Sequence, residues 1–234
     1  MLKIAHRGAS GYEPENTLRA FKKALSLQAD MVECDVWLSK DSKVIVIHDE
    51  NTERTAHHQG KITEMTLPQI KKLNVGKKES PPTLGEVLKL VKGFCKIIIE
   101  IKDQRAVPQT LALLESHKMS AETILSSENL DILAEIYHTQ PRLQTSLIFS
   151  SYFHLNMLNR LIVSRAKKVH ATAVCLEKSL VNKSSVTNFH RYGLEVFAWT
   201  ANTPEDIALM KESKVDGIIS DFPDRINLRN ASGY

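Results

Sequence analysis

Lys96-Ile97-Ile98-Ile99-Glu100-Ile101-Lys102 is the stretch whose reading decides the fold. A nearly continuous run of isoleucines reads as a strand buried on both faces, the kind found in a parallel sheet covered by helices. Side chains two apart share a face, so Ile98, Glu100 and Lys102 lie together, opposite Ile97, Ile99 and Ile101. One face therefore turns from apolar to charged as the strand ends. In a parallel α/β barrel that end is where chemistry is done.

Working outward, residues 31–38 repeat the pattern, with Glu33 and Asp35 on one face and Cys34 and Val36 on the other. Further strands are predicted at 3–6, 123–126, 144–148, 172–176, 195–199 and 217–220, which makes eight in all. Amphipathic helical stretches lie between them. In 17–27, Leu18, Phe21, Ala24, Leu25 and Gln28 trace one face, and 204–213 is opened by Thr203 and Pro204. Eight strands alternating with helices predict a closed (β/α)8 TIM barrel. No glycine-rich fingerprint follows the first strand, which argues against an open dinucleotide-binding sheet.

The rhythm breaks once. After the second strand the chain turns through Lys40, Asp41 and Ser42 into a hairpin partner at 44–48. Residues 49–83 then form a mostly polar insertion on the catalytic face, with one helical piece at 67–73, before a helix beginning near Leu84. No repeat or linker divides the chain, so 1–234 reads as a single domain with a polar, partly disordered tail from 225.

The 234 residues are 42% hydrophobic and 25% charged, an ordinary globular balance. A net charge of +4, with basic residues scattered along helical faces, gives no support to a nucleic-acid groove but suits an anionic substrate. Cys34, Cys95 and Cys175 are odd in number, lack metal-ligand spacing and adjoin apolar runs, so they read as buried thiols in a reducing compartment. No stretch has the length of a signal or membrane segment, so the expectation is a cytoplasmic protein without stable membrane insertion. No apolar stripe singles out an interface, which leaves monomer and homodimer both open.

Three carboxylates at one barrel mouth pose an electrostatic problem. At about 4 Å and an effective dielectric near 20 each pair repels by roughly 4 kcal/mol, and three pairs approach the whole stability of a domain, roughly 5–15 kcal/mol. One such acid alone reads equally well as an exposed strand end beside a lysine; three in phase do not. Lys102 offsets part of the charge, and three hard oxygen donors suit Mg²⁺ or Ca²⁺ better than zinc. His6 and His48 each end an apolar run at the same mouth, and Arg7 adjoins His6. Hydrolysis of a phosphodiester needs charge neutralisation, a positioned nucleophile and a proton donor for the departing oxygen. A divalent ion, Arg7 as a phosphate clamp and two histidines meet those needs. His57 and His58 lack such neighbours and read as solvated loop residues.

The ordered set His6-Arg7-Gly8, Glu13-Pro14-Glu15-Asn16-Thr17, Glu33 and Asp35, His48-Asp49, Glu100-Ile101-Lys102, Pro82-Thr83-Leu84, Trp199-Thr200 with Asn202, and Asp216 to Asp221 with Pro223 resembles the glycerophosphodiester phosphodiesterase family. The similarity runs from His6 to Pro223. It implies a TIM barrel with a small insertion after the second strand and one divalent cation, Mg²⁺ or Ca²⁺, on Glu33, Asp35 and Glu100. It further implies His6 and His48 as the acid/base pair, Arg7 and Lys102 on phosphate, and Trp199 lining the substrate pocket. Glu15 and Asn16 are expected to brace the first loop, with Asn16 capping the first helix. Ser126 is followed by Ser127 and Glu128, where the family commonly carries phenylalanine after the serine. That makes the pocket wall more polar and puts the alcohol preference in doubt.

The expected activity is metal-dependent hydrolysis of a small glycerophosphodiester to sn-glycerol 3-phosphate and an alcohol. A lysophospholipase D-like phosphodiesterase is the nearest alternative. It needs an apolar entry, for which Met65, Leu67, Ile70 and Leu73 offer only a small patch in the polar insertion. A metal-dependent aldolase or isomerase on the same barrel leaves His6 and His48 without a joint task. A non-catalytic phosphodiester-binding barrel is the remaining alternative.

Overall fold

Strand β1 (Leu2–Ala5) is followed by α1 (Leu18–Ser26), the hairpin β2 (Met31–Leu38) and β3 (Val44–Val46), and the short helices α2 (Glu53–Ala56) and α3 (Leu67–Ile70). Next come α4 (Leu84–Val91), β4 (Lys96–Ile101), α5 (Val107–His117), β5 (Thr123–Ser127), α6 (Leu130–Thr139), β6 (Gln144–Phe149) and α7 (Leu155–Lys168). The order closes with β7 (Ala173–Glu177), α8 (Lys183–Arg191), β8 (Glu195–Trp199), α9 (Pro204–Ser213) and β9 (Gly217–Ser220). This computed structural model describes residues 1–150 and 155–227.

The parallel strands run β1-β9-β8-β7-β6-β5-β4-β2, and β1 pairs with β2 through Ile4 and Met31, so eight strands close into a barrel. Strand β3 lies outside that ring, antiparallel to β2, with Val36 opposite Val46. The alternation read from sequence sorts the side chains into two cores. Inside the ring, Ile4, Met31, Ile98, Ile124, Ile148, Phe197 and Ile219 form an apolar plug. Outside it, Cys34, Val36, Ile97, Ile99 and Ile101 pack under the helices with Phe21, Leu88 and Phe189. Two residues beyond the plug, the inward positions become His6, Glu33, Glu100, Ser126 and Trp199. The same period of two that fills the core thus delivers the polar groups to the mouth.

Helix starts carry the expected chemistry. The hydroxyl of Thr203 caps α9, and Thr83 with Glu86 forms a capping box on α4. At α1 the cap is Thr17, whose Oγ1 accepts from the Ala20 amide, rather than Asn16. Asn16 is buried at φ +56°, in a left-handed conformation that a short polar side chain tolerates, and it turns toward Asp35 instead.

Between β3 and α4 the chain carries α2, a single 3-10 turn at Ile62–Glu64, and α3, which ends at Ile70 rather than 73. Ile45, Ile47, Ile62, Ile70 and Leu73 form a third, separate cluster, with Met65 and Leu67 packed against it. Of the expected surface patch, Ile70 and Leu73 are buried in this cluster, while Met65 and Leu67 are half-buried against it. Cys34 and Cys175 are buried free thiols, while Cys95 is only half-buried. Residues 225–227 belong to a 3-10 turn, Pro223–Asn227, and the rest of the polar tail lies outside the described residues. Among the described residues no helix is long and apolar enough to cross a membrane.

Candidate active site

One cavity opens at the C-terminal ends of the strands. His6, Arg7, Glu33, His48, Glu100, Lys102 and Trp199 all line it, with Ser126 and Glu128 on the β5 side. Asp35 lies just beneath, 1% exposed. Every residue singled out from sequence is thus brought to one place.

The carboxylate oxygens of Glu33, Asp35 and Glu100 offer ligand atoms all within 4.8 Å of one another. Around a cation with oxygen ligands at about 2.0–2.6 Å, donors sit at most roughly 4–5 Å apart, so this spacing fits one Mg²⁺ or Ca²⁺. The surroundings neutralise the acids only in part. Asp35 accepts from Asn16 Nδ2 at 2.8 Å, and Lys102 Nζ and Arg7 Nε lie 3.2 and 3.4 Å from its oxygens. Burial works against its charge, but Lys102 and Arg7 hold its carboxyl well below the usual range. Glu33 accepts from the Arg7 amide at 2.9 Å and Glu100 from Lys102 Nζ at 2.6 Å. Burial, and then the charge of Asp35, push Glu33 up to about 7 and Glu100 up to about 8. Gathering three carboxylates here resists full ionisation, which the raised Glu33 and Glu100 values record, and a divalent cation would favour the fully ionised set.

The two histidines are held by different acids and pushed in opposite directions. His6 Nδ1 lies 2.7 Å from Asp221 Oδ1; an ionised carboxylate only accepts, so Nδ1 donates and Nε2 is the nitrogen that gains or loses a proton. Burial pulls the His6 pKa down, but Asp221 and the charge of Glu33 outweigh it, and the pKa is raised. His48 Nδ1 likewise donates to Asp49 Oδ1 at 2.6 Å. Burial, together with Lys102 and Arg7, lowers its pKa in spite of Asp35 and Asp49. Trp199 is oriented by donation from its indole Nε1 to the Cys175 carbonyl at 3.3 Å.

The model of the glycerophosphoryl diester phosphodiesterase family matches residues 6–225. The chain belongs to this family. A glycerophosphodiester phosphodiesterase of Caldanaerobacter subterraneus is 34% identical over 99% of this chain and 99% of its own length. One from Bacillus subtilis is 29% identical over 96% of this chain and 84% of its own. The crystal structure of a glycerophosphodiester phosphodiesterase from Thermotoga maritima superposes with a TM-score of 0.82 at 30% identity, covering 96% of both chains.

Three partners in this family member, Asp221, Asp49 and Arg54, carry no role in the sequence reading, whereas Glu15 braces the first loop as expected. Asp221 holds His6, and is itself held by Ser10 Oγ at 2.8 Å and Asn202 Nδ2 at 2.6 Å. Asp49 holds His48. Arg54 reaches Asp49 and Glu15, and Glu15 in turn accepts from Arg7 Nη1 at 3.0 Å. Asp221 and Asn202 were visible as family matches, but only barrel closure brings the last strand beside the first. The polar wall expected from Ser126 and Glu128 is in place: both line the cavity, and the Ser126 hydroxyl is buried without a protein partner.

Proposed function

We propose that this chain hydrolyses small glycerophosphodiesters to sn-glycerol 3-phosphate and an alcohol. The observation that carries the reading is the convergence of two oppositely tuned histidines, two cationic side chains and three carboxylates on one cavity. Glu33, Asp35 and Glu100 would hold one Mg²⁺ or Ca²⁺. That ion, when bound, neutralises phosphoryl charge and makes an attached hydroxyl more acidic.

The side chains do the rest. Arg7 and Lys102 orient the phosphoryl oxygens, and their charge disfavours protonation of His48. His48, with its pKa lowered and Nε2 free, takes the proton of the attacking hydroxyl. His6, with its pKa raised, donates a proton from Nε2 to the departing alkoxide. Two histidines whose surroundings separate their pKa values suit such a division. Trp199 and Ile148 cover the organic part of the substrate. A small, water-soluble diester is favoured over an acylated one, because Met65 and Leu67 do not line the cavity and Ser126 and Glu128 make its β5 wall polar. Three unpaired cysteines support a reducing, cytoplasmic setting.

The deciding experiment is release of glycerol 3-phosphate from glycerophosphocholine by purified protein, first with EDTA and then with Mg²⁺ or Ca²⁺ added. Release restored by either ion is the expected result. No release with either ion overturns the proposal.

A further inference from the structure

The two halves of the proposed machinery sit on different segments, His6 and Arg7 after β1 and His48 after β3, and one exposed side chain ties those segments together. Arg54, in the first turn of α2, donates through Nη2 to Glu15 Oε1 at 2.7 Å and through Nη1 to Glu15 Oε2 at 3.0 Å. Its Nε is paired with Asp49 Oδ2. On the far side of those acids, Glu15 Oε1 accepts from Arg7 Nη1 at 3.0 Å and Asp49 Oδ1 accepts from His48 Nδ1 at 2.6 Å. The result is one chain of alternating charge: Arg7, Glu15, Arg54, Asp49, His48.

We infer that Arg54 is a positioning residue that sets the His48 imidazole and the Arg7 guanidinium relative to one another through Asp49 and Glu15. The inference rests on the roles given above to His48 and Arg7. Arg54 does not line the cavity, so it acts only through its partners. Three of its donors are engaged in a fixed fork, an arrangement a lysine cannot reproduce. Arg54 fixes the place of the Asp49 carboxylate, whose Oδ2 pairs with Arg54 Nε while Oδ1 accepts from His48 Nδ1. That fixes the imidazole with Nδ1 protonated and Nε2 open toward the phosphate. Glu15 accepts from Arg7 and Arg54 together, so the phosphate clamp takes its position from the same anchor. Without Arg54, Asp49 and Glu15, each about one-quarter exposed, turn to solvent and release both groups.

The test uses the full chain and the Arg54→Ala and Arg54→Lys variants. Imidazole ¹⁵N spectra read the His48 tautomer directly, with or without turnover. The wild type is expected to show the Nδ1-protonated form and Arg54→Ala a mixture. In glycerol 3-phosphate release from glycerophosphocholine, Arg54→Ala is expected to lose about 10–100-fold in kcat, the usual penalty for removing a group that orients a ligand or catalytic side chain. Arg54→Lys should recover less than half of that loss. In a background carrying both Asp49→Asn and Glu15→Gln, Arg54→Ala should cost no more than about 3-fold in kcat, because the routes to His48 and Arg7 are already cut. An unchanged tautomer spectrum, a kcat within about 2-fold of wild type, or losses that simply multiply with that double background overturn the inference. If the wild type itself releases no glycerol 3-phosphate, the proposed activity has failed, and the tautomer spectra still decide the role of Arg54.

Discussion

Replacing Asp221 by asparagine keeps the shape of the group behind His6 and removes its charge. In the folded protein burial raises the Asp221 pKa, but His6, Ser10 and Asn202 together outweigh it and lower the value from 3.8 to about 2. Nearly two pKa units correspond to about 2.5 kcal/mol at ~1.36 kcal/mol per unit. The side chain is 27% exposed, so solvent screening reduces this to roughly 1–2 kcal/mol. Because the folded value lies below the unfolded one, this stabilisation is complete above about pH 4 and is lost as pH falls toward 2. Asp221→Asn should therefore lower Tm by roughly 3–6 °C at pH 7 and flatten the loss of stability between pH 4 and 2. The effect on activity is larger. With Asp221 neutral, burial becomes the dominant influence on His6 and its pKa falls below the ordinary 6.5. An acid that deprotonates earlier moves the alkaline limb of the kcat/KM profile to lower pH, and kcat at pH 8 should drop by about 10²-fold. Thermal melts across pH and a full pH–rate profile make the measurement. An alkaline limb that stays in place, with less than about 3-fold loss at pH 8, would refute the assignment of His6 as the acid.

His48→Ala should cut kcat by about 10²–10⁴-fold and spare the affinity for metal and substrate, read by calorimetry beside steady-state kinetics; a loss confined to KM would make His48 a binding residue. Divalent ion at about 100 times its dissociation constant should add ~2.7 kcal/mol to the chelated protein, a rise of roughly 5–10 °C in Tm that monovalent salt of equal ionic strength does not give. Gly8 sits at φ +80°, and a Cβ there would lie 2.7 Å from the backbone carbon and Cβ of Ala20. Gly8→Ala should accordingly cost about 2–3 kcal/mol, roughly 5–10 °C in Tm, and displace the loop that carries Arg7. A melt within about 1 °C of wild type would contradict that account.

The sequence exposed the parts of this molecule that depend on a period of two. The run from Ile97 to Ile101 names its own strand and its own faces, and Glu33, Asp35 and Glu100 could be placed on the inward side before any contact was known. Strand ends were less legible: β1 stops at Ala5 and β3 at Val46, so His6 and His48 stand in loops just past the ladder. What escaped were side-chain partnerships between distant segments. His6 and Asp221 are 215 residues apart, and only ring closure makes them neighbours. Asn16 misled because its type suits a helix cap. The burial of Asp35 beside it offered a stronger partner, and Thr17 was free to take the cap. The segment between β3 and α4 looked polar because its few apolar residues are spaced irregularly, yet those residues are the ones it buries.

That third cluster has a consequence for how such an enzyme can diversify. Ile45, Ile47, Ile62, Ile70 and Leu73 pack with one another and share no member with the two layers of the barrel. A stretch that carries its own small core behaves as a cassette. Its surface away from Arg54 can be rewritten or lengthened while the ring beneath keeps its stability and its three clustered carboxylates. Selection for a new leaving group can thus act at the rim of the mouth without reopening the problem of folding the barrel.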